Sequence, residues 1–151
     1  MKLGRWRERS PLFAEMDDQS FAFLESIAQE TAVRENEIIF RVNTPADRFY
    51  LVIEGKISLR IAGPSRPPIT IQTLGEGCLL GLSWRLPPYR WQWTAQALTD
   101  SKLAAFDART VLEACKHNPR LDAALWRVVA RESATRLQNA RLQLLDLYGQ
   151  E

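Results

Sequence analysis

Apolar positions change their period twice along this chain. Between residues 10 and 30 they recur at helical spacing: Phe21, Leu24, Ile27 and Ala28 share one face, Ser10-Pro11 reads as a turn, and Asp17 or Asp18 can cap the start. From Ala32 to Phe106 the texture becomes β-branched and aromatic, in the runs TAVRENEIIFRV, RFYLVIEGKISLRIA and ITIQTL, each bounded by Asn, Pro, Gly or Asp. Phe49, Leu51 and Ile53 alternate with Tyr50, Val52 and Glu54, and alternation resumes at Ile57, Leu59 and Ile61, which predicts a hairpin turn at Glu54-Gly55-Lys56. GPSRPP, residues 63–68, reads as a second turn, and QWTAQAL and KLAAFD as two further strands around Thr99-Asp100-Ser101. No βαβ alternation occurs, so residues 32–106 predict an antiparallel roll or sandwich within an α+β, mainly β, fold.

After Phe106 the period returns to that of a helix, and residues 107–148 predict two of them. Asp107 is placed to cap a short helix, DARTVLEACKH, and Asn118-Pro119 to cap and open a longer one that runs to about Tyr148, with Gly149 as its stop. On the long helix, Ala130, Ser133, Leu137, Ala140, Leu144 and Leu147 recur at alternating steps of three and four, as in a coiled-coil seam. A second stripe, Leu121, Leu125, Val128, Leu142 and Leu145, occupies a different side. One side is expected to dock on the β body and the other on a second copy of the chain; a wide apolar face packed within one monomer is the competing reading.

Composition changes this picture little. A chain of 151 residues, 46% hydrophobic and 25% charged, suits one domain, residues 1–151, with a substantial core. The net charge of +2 owes much to Lys2, Arg5, Arg7 and Arg9, opposed by Glu8, and this basic start reads as a solvated tail. Cys78 and Cys115 are too few for a metal cluster and are expected to be reduced, largely buried thiols. No signal peptide or membrane-length apolar run is visible, so a cytoplasmic protein without a membrane role is expected. His117, the single histidine, stands at a helix boundary without a nucleophile, a metal-ligand set or a phosphate loop beside it, so no catalytic residues, metal or cofactor are expected.

The densest chemistry lies in GLSWRLPPYRWQW, residues 81–93, which holds three of the chain's five tryptophans with Arg85 and Arg90 among them. Such a stretch either plugs the fold or walls a pocket for a planar or anionic ligand.

Several runs together carry a resemblance: PLFAEMDDQSFAFLESIA, ENEIIFRVNTPADRFYLVIEGKISL, LGEGCLLG, AQALTDSKLAAFD and the helix with TRLQNA, with Gly55, Gly75, Gly77 and Gly81 at turn positions. Over nearly its whole length the chain resembles the cyclic-nucleotide-binding domain of the catabolite-activator (Crp/Fnr) superfamily, and in particular stand-alone members of it. The resemblance implies a β roll of about eight antiparallel strands, an N-terminal helix and a C-terminal helix that forms the dimer seam. It also implies a phosphate-binding cassette, F-G-E-(L/I) followed by R-(S/T)-A, whose arginine neutralises the phosphate and whose glutamate takes the ribose hydroxyl. Here Leu80-Gly81-Leu82-Ser83 and Trp91-Gln92-Trp93 stand at those positions, so the cassette is degenerate: the glycine alone matches. Losing two charged contacts is expected to weaken nucleotide binding by about two to four powers of ten. Arg90 is next to the lost arginine, but strand alternation points it away from Trp91; on the long helix Arg141 follows Arg136-Leu137-Gln138, where the family contacts the base.

The candidate ligand residues are therefore Gly81, Leu82, Ser83, Trp84, Arg90, Trp91, Gln92, Trp93 and Arg141. The expected function is a non-catalytic regulatory or sensory module that dimerises through its last helix and answers an unknown small molecule or protein partner. The alternative is a ligand-free homodimeric interaction module with an aromatic-filled pocket. DNA binding by this chain alone is not expected, since regulators of this superfamily carry a helix-turn-helix domain after the long helix and this sequence stops at Glu151.

Overall fold

The computed structural model of the chain describes residues 1–62, 65 and 67–149, with side chains described as far as Asp146. The first nine residues are not the solvated tail expected of them. Gly4–Trp6 and Pro11–Phe13 form 3-10 turns that bury Leu3 and Trp6 almost completely, each worth about 1.5–3 kcal/mol. The basic residues that suggested solvation lie over this apolar layer: the Arg5 guanidinium sits 4.7 Å above the Trp6 ring and that of Arg7 4.9 Å above Phe21, with Arg7 also paired to Asp18. Helix α1, Asp18–Ile27, is capped by Asp17, whose carboxylate accepts from Ser20 N at 2.9 Å, and it turns Phe21 and Leu24 inward.

Eight strands follow: β1 (Gln29–Val33), β2 (Ile38–Phe40), β3 (Arg48–Glu54), β4 (Ile57–Ile61), β5 (Ile69–Leu74), β6 (Leu79–Leu80), β7 (Thr94–Ala97) and β8 (Ser101–Asp107). They form two antiparallel sheets, β1-β8-β3-β6 and β2-β7-β4-β5, with the core between them. TAVRENEIIFRV, which reads as one run, splits at a turn where Asn36 takes φ +72°, and its halves enter different sheets. The turn at Glu54-Gly55-Lys56 is not a hairpin either. β3 pairs with β8 and β6, whereas β4 pairs with β5 and β7, so this turn carries the chain from one sheet to the other. Gly55 makes the crossing at φ +99°, where a Cβ would lie 2.1 Å from Ser101 Oγ. Of the turn expected at residues 63–68, positions 63, 64 and 66 lie outside the described residues.

β3 is buried from Phe49 through Val52, hence on both faces, because α1 and helix α2 (Ala108–His117) pack on the first sheet. In register across β3 and β8, Phe49 and Phe106 stack at 4.8 Å. Asp107 caps α2 by accepting from Thr110 N at 2.9 Å. Asn118 Oδ1 accepts from Leu121 N at 3.2 Å at the start of helix α3, Pro119–Gly149, which includes Gly149 rather than stopping before it. Leu121, Leu125 and Val128 dock on the body as expected of their stripe, but Leu142 and Leu145 do not: they are 50% and 66% exposed. The stripe drifts around the helix as α3 runs on, so its distal members leave the face that touches the roll.

Candidate functional site

The site begins at β6, a two-residue strand too short to show in the sequence pattern, and at Gly81, which takes φ +101°. A Cβ at Gly81 would lie 2.8 and 2.9 Å from Cζ3 and Cη2 of Trp91, so the absence of a side chain there makes room for the indole. The Trp91 ring is 3% exposed and stacks on Phe40 at 3.7 Å and 11°. Its backbone is fixed as well: Trp91 N donates to Thr44 O at 3.0 Å, and Trp91 O accepts from Asn43 N at 2.8 Å. Leu82 is buried beside it, and Trp84, 2% exposed, stacks on Phe49 at 4.5 Å. At this end of the site the aromatic stretch is packed into the core, with Trp84 and Trp91 both buried. Its outer residues are different: Tyr89, Arg90 and Gln92 are exposed, and Ser83 and Trp93 are half-buried. Arg90 points outward as alternation predicts and donates to Asn43 O at 2.6 Å, away from the Trp91 ring.

Arg141 is exposed and is not among the residues that line the cleft beside Trp93. Residues 132, 136, 139 and 143 of α3, spaced at three and four, turn toward the roll instead. Arg136 donates through Nη2 to Leu79 O at 3.0 Å and lies 6.0 Å from the centroid of Trp93. Its Nε and Nη1 are buried without a partner. Burial pulls the Arg136 pKa below, and that of neighbouring Glu132 above, their ordinary values. Arg136, Asn139 and Gln143 border a cleft of ≈ 470 Å³ between α3 and β5, walled also by Trp93, Thr73, Ile71 and Leu142. A larger cleft, ≈ 940 Å³, lies between the Trp84–Tyr89 loop and α2. The spacing of four between Glu132 and Arg136 is the signal in the sequence that marks the inward face.

The model of the cyclic nucleotide-binding domain family matches residues 30–118. The chain belongs to this family. Three solved structures are similar to it. The N-terminal domain of a transcriptional regulator from Streptomyces coelicolor A3(2) is 31% identical, with TM-score 0.72, over 91% of this chain and 94% of that one. The Thermus thermophilus catabolite activator protein is 26% identical, with TM-score 0.72, over 92% of this chain and 63% of that one. A cyclic nucleotide-binding domain from Methylobacillus flagellatus KT, 15% identical, shares the fold at TM-score 0.81 over 95% of this chain and 84% of that one. A Rhodopseudomonas palustris protein, named "putative potassium channel protein", is 24% identical over 142 residues; these are 94% of this chain, which spans 33% of the relative's length. The chain is thus a regulatory module of the cyclic nucleotide-binding domain family. Among the described residues no helix is long and apolar enough to cross a membrane.

Both cysteines are free, Cys115 buried and Cys78 half-buried. His117 is exposed at the end of α2, 3.6 Å from Glu113, which lies one turn before it.

Proposed function

We propose that residues 1–151 form a non-catalytic regulatory domain in which the phosphate position is permanently filled, so that cyclic AMP and cyclic GMP are not bound in the manner usual for the family. The observation that carries this reading is the Trp91 indole, seated against Gly81 and stacked on Phe40. Charge and acceptor are lost together, because Leu82 stands in place of the glutamate. The reading keeps a place for a different ligand: the cleft beside Trp93, with two unpartnered nitrogens of Arg136 at its edge, suits a small planar anion. We place the domain in the cytoplasm, where its two free thiols stay reduced.

The second part of the proposal is a homodimer through α3. Ala130, Leu137, Ala140 and Leu144 are exposed and Ser133 is half-buried, on a side of the helix separate from the docked Leu121, Leu125 and Val128; the side chain of Leu147 lies outside the described residues. Leu137→Glu is expected to give a monomer by light scattering. The nucleotide reading is tested by restoring the cassette. Trp91→Arg with Leu82→Glu and Trp93→Ala reopens the site, and added cyclic AMP is expected to raise the melting temperature of the variant and not that of the parent.

A further inference from the structure

Arg85 is the one charged side chain in the buried class among the described residues, 7% exposed, and it sits four residues after the cassette glycine. A desolvated guanidinium persists where partners hold it, and those of Arg85, whose Nε is buried without one, come from two elements. Its Nη2 pairs with Asp122 Oδ1 in the first turn of α3, and its Cζ lies 4.3 Å over the ring of Trp126, one helical turn further on. On the loop side the guanidinium is 5.8 Å from the Trp84 ring, and Arg85 N donates to Leu82 O at 3.2 Å. Trp84 in turn stacks on Phe49, and Phe49 on Phe106, so the loop is fastened to the first sheet on one side and to α3 on the other.

Trp126 has one face on Arg85 and remains 43% exposed. Its position is four before Ala130, so 126, 130, 133, 137, 140 and 144 continue the alternating steps without a break. In a row otherwise made of Ala, Ser and Leu, it is the large aromatic side chain of the kind that anchors interfaces. We propose that Arg85 is a positioning residue for the α3 seam: it holds the Trp126 ring in one orientation, presets the first knob of the dimer, and thereby ties the loop after Gly81 to dimer stability. A planar guanidinium does this because it can stack on the indole and pair with Asp122 at once, which a lysine ammonium cannot. The inference rests on the homodimer proposed above.

The test is a double-mutant cycle on the dimer dissociation constant, measured by sedimentation on the full chain, with folding checked by circular dichroism. Arg85→Ala and Trp126→Ala are each expected to raise the constant by roughly tenfold or more, and the double variant no further than Trp126→Ala alone. Val33→Ala, a core truncation in β1, serves as a control that lowers stability without touching the seam, and it is expected to leave the constant unchanged. If Arg85→Ala does not fold, Arg85→Gln and Asp122→Asn carry the same cycle with less loss of packing. Additive effects, or an Arg85 variant within threefold of the parent, overturn the inference and leave the dimer standing. A parent that is monomeric at every concentration overturns both.

Discussion

The two ends of the candidate site are built on opposite terms. Around Gly81 the seat of Trp91 is apolar: Trp91 stacks on Phe40, Trp84 on Phe49, and Leu82 is buried, with the unpaired buried Nε1 of Trp84 at its margin. Beside Trp93 the wall is mixed, with Ile71 and Leu142 next to Thr73, Asn139 and Gln143, and it is incompletely paired: two buried nitrogens of Arg136 lack a partner, and burial raises nearby Glu132. The first end stabilises the fold, and in the reading proposed above Trp91 fills the place of a phosphate. The second costs the fold something, since an unsatisfied buried donor is worth about 1–3 kcal/mol, and an arrangement that costs stability is where a ligand contact is expected.

The contrast is sharpest when each end is truncated. Trp91→Ala is expected to lose about 3–5 kcal/mol by leaving a cavity under Phe40, lowering the melting temperature by roughly 10 °C. Arg136→Met, which removes the unpaired donors and keeps the volume, is expected to change stability by less than about 1 kcal/mol. Equal losses at the two positions would erase the distinction. Caps lie outside both ends and set the scale for an ordinary loss: Asp107→Ala is expected to cost about 1 kcal/mol. The Asp107 carboxyl is held below its ordinary 3.8 by accepting from Thr110, so its contribution is present above that value and fades as pH falls through the lower folded pKa.

The smallest expected effect has the opposite sign. Burial raises Glu132 above its ordinary 4.5, so the contribution of this group is fully present below 4.5, where it is protonated folded and unfolded, and is lost as pH rises through the raised folded pKa. The parent is therefore expected to lose stability relative to Glu132→Gln as pH climbs above 4.5 in chemical denaturation. A constant difference between the two proteins across that range would remove Glu132 from the strained end.

What the sequence reveals and hides has physical reasons. Asp107, Asn118 and Pro119 are visible because a cap is a local bond between residues a few positions apart. The spacing of Ala130, Ser133, Leu137, Ala140 and Leu144 is visible because helical periodicity is local, and these residues lie on a side of α3 separate from the docked Leu121, Leu125 and Val128. The sheet change at Gly55 is hidden, since strands alternate in the same way whether or not they pair across their turn. The packed N-terminus is hidden because arginines interrupt Leu3 and Trp6, and their stacking on Trp6 and Phe21 cannot be read from charge. The density of aromatics in residues 81–93 is legible from residue types alone, but which tryptophan is buried is decided by the pairing of Trp91 with the segment at Asn43 and Thr44, far away in sequence. Arg136 is legible only once the roll shows which side of α3 it covers.

The central claim is that an indole occupies the place of a phosphate. Isothermal titration calorimetry of the unaltered chain with cyclic AMP and cyclic GMP tests it most directly. The account predicts no binding tighter than about the high-micromolar range for either nucleotide; a low-micromolar constant would contradict it, because the phosphate would then have found a cation and a space that Trp91 and Leu82 do not leave.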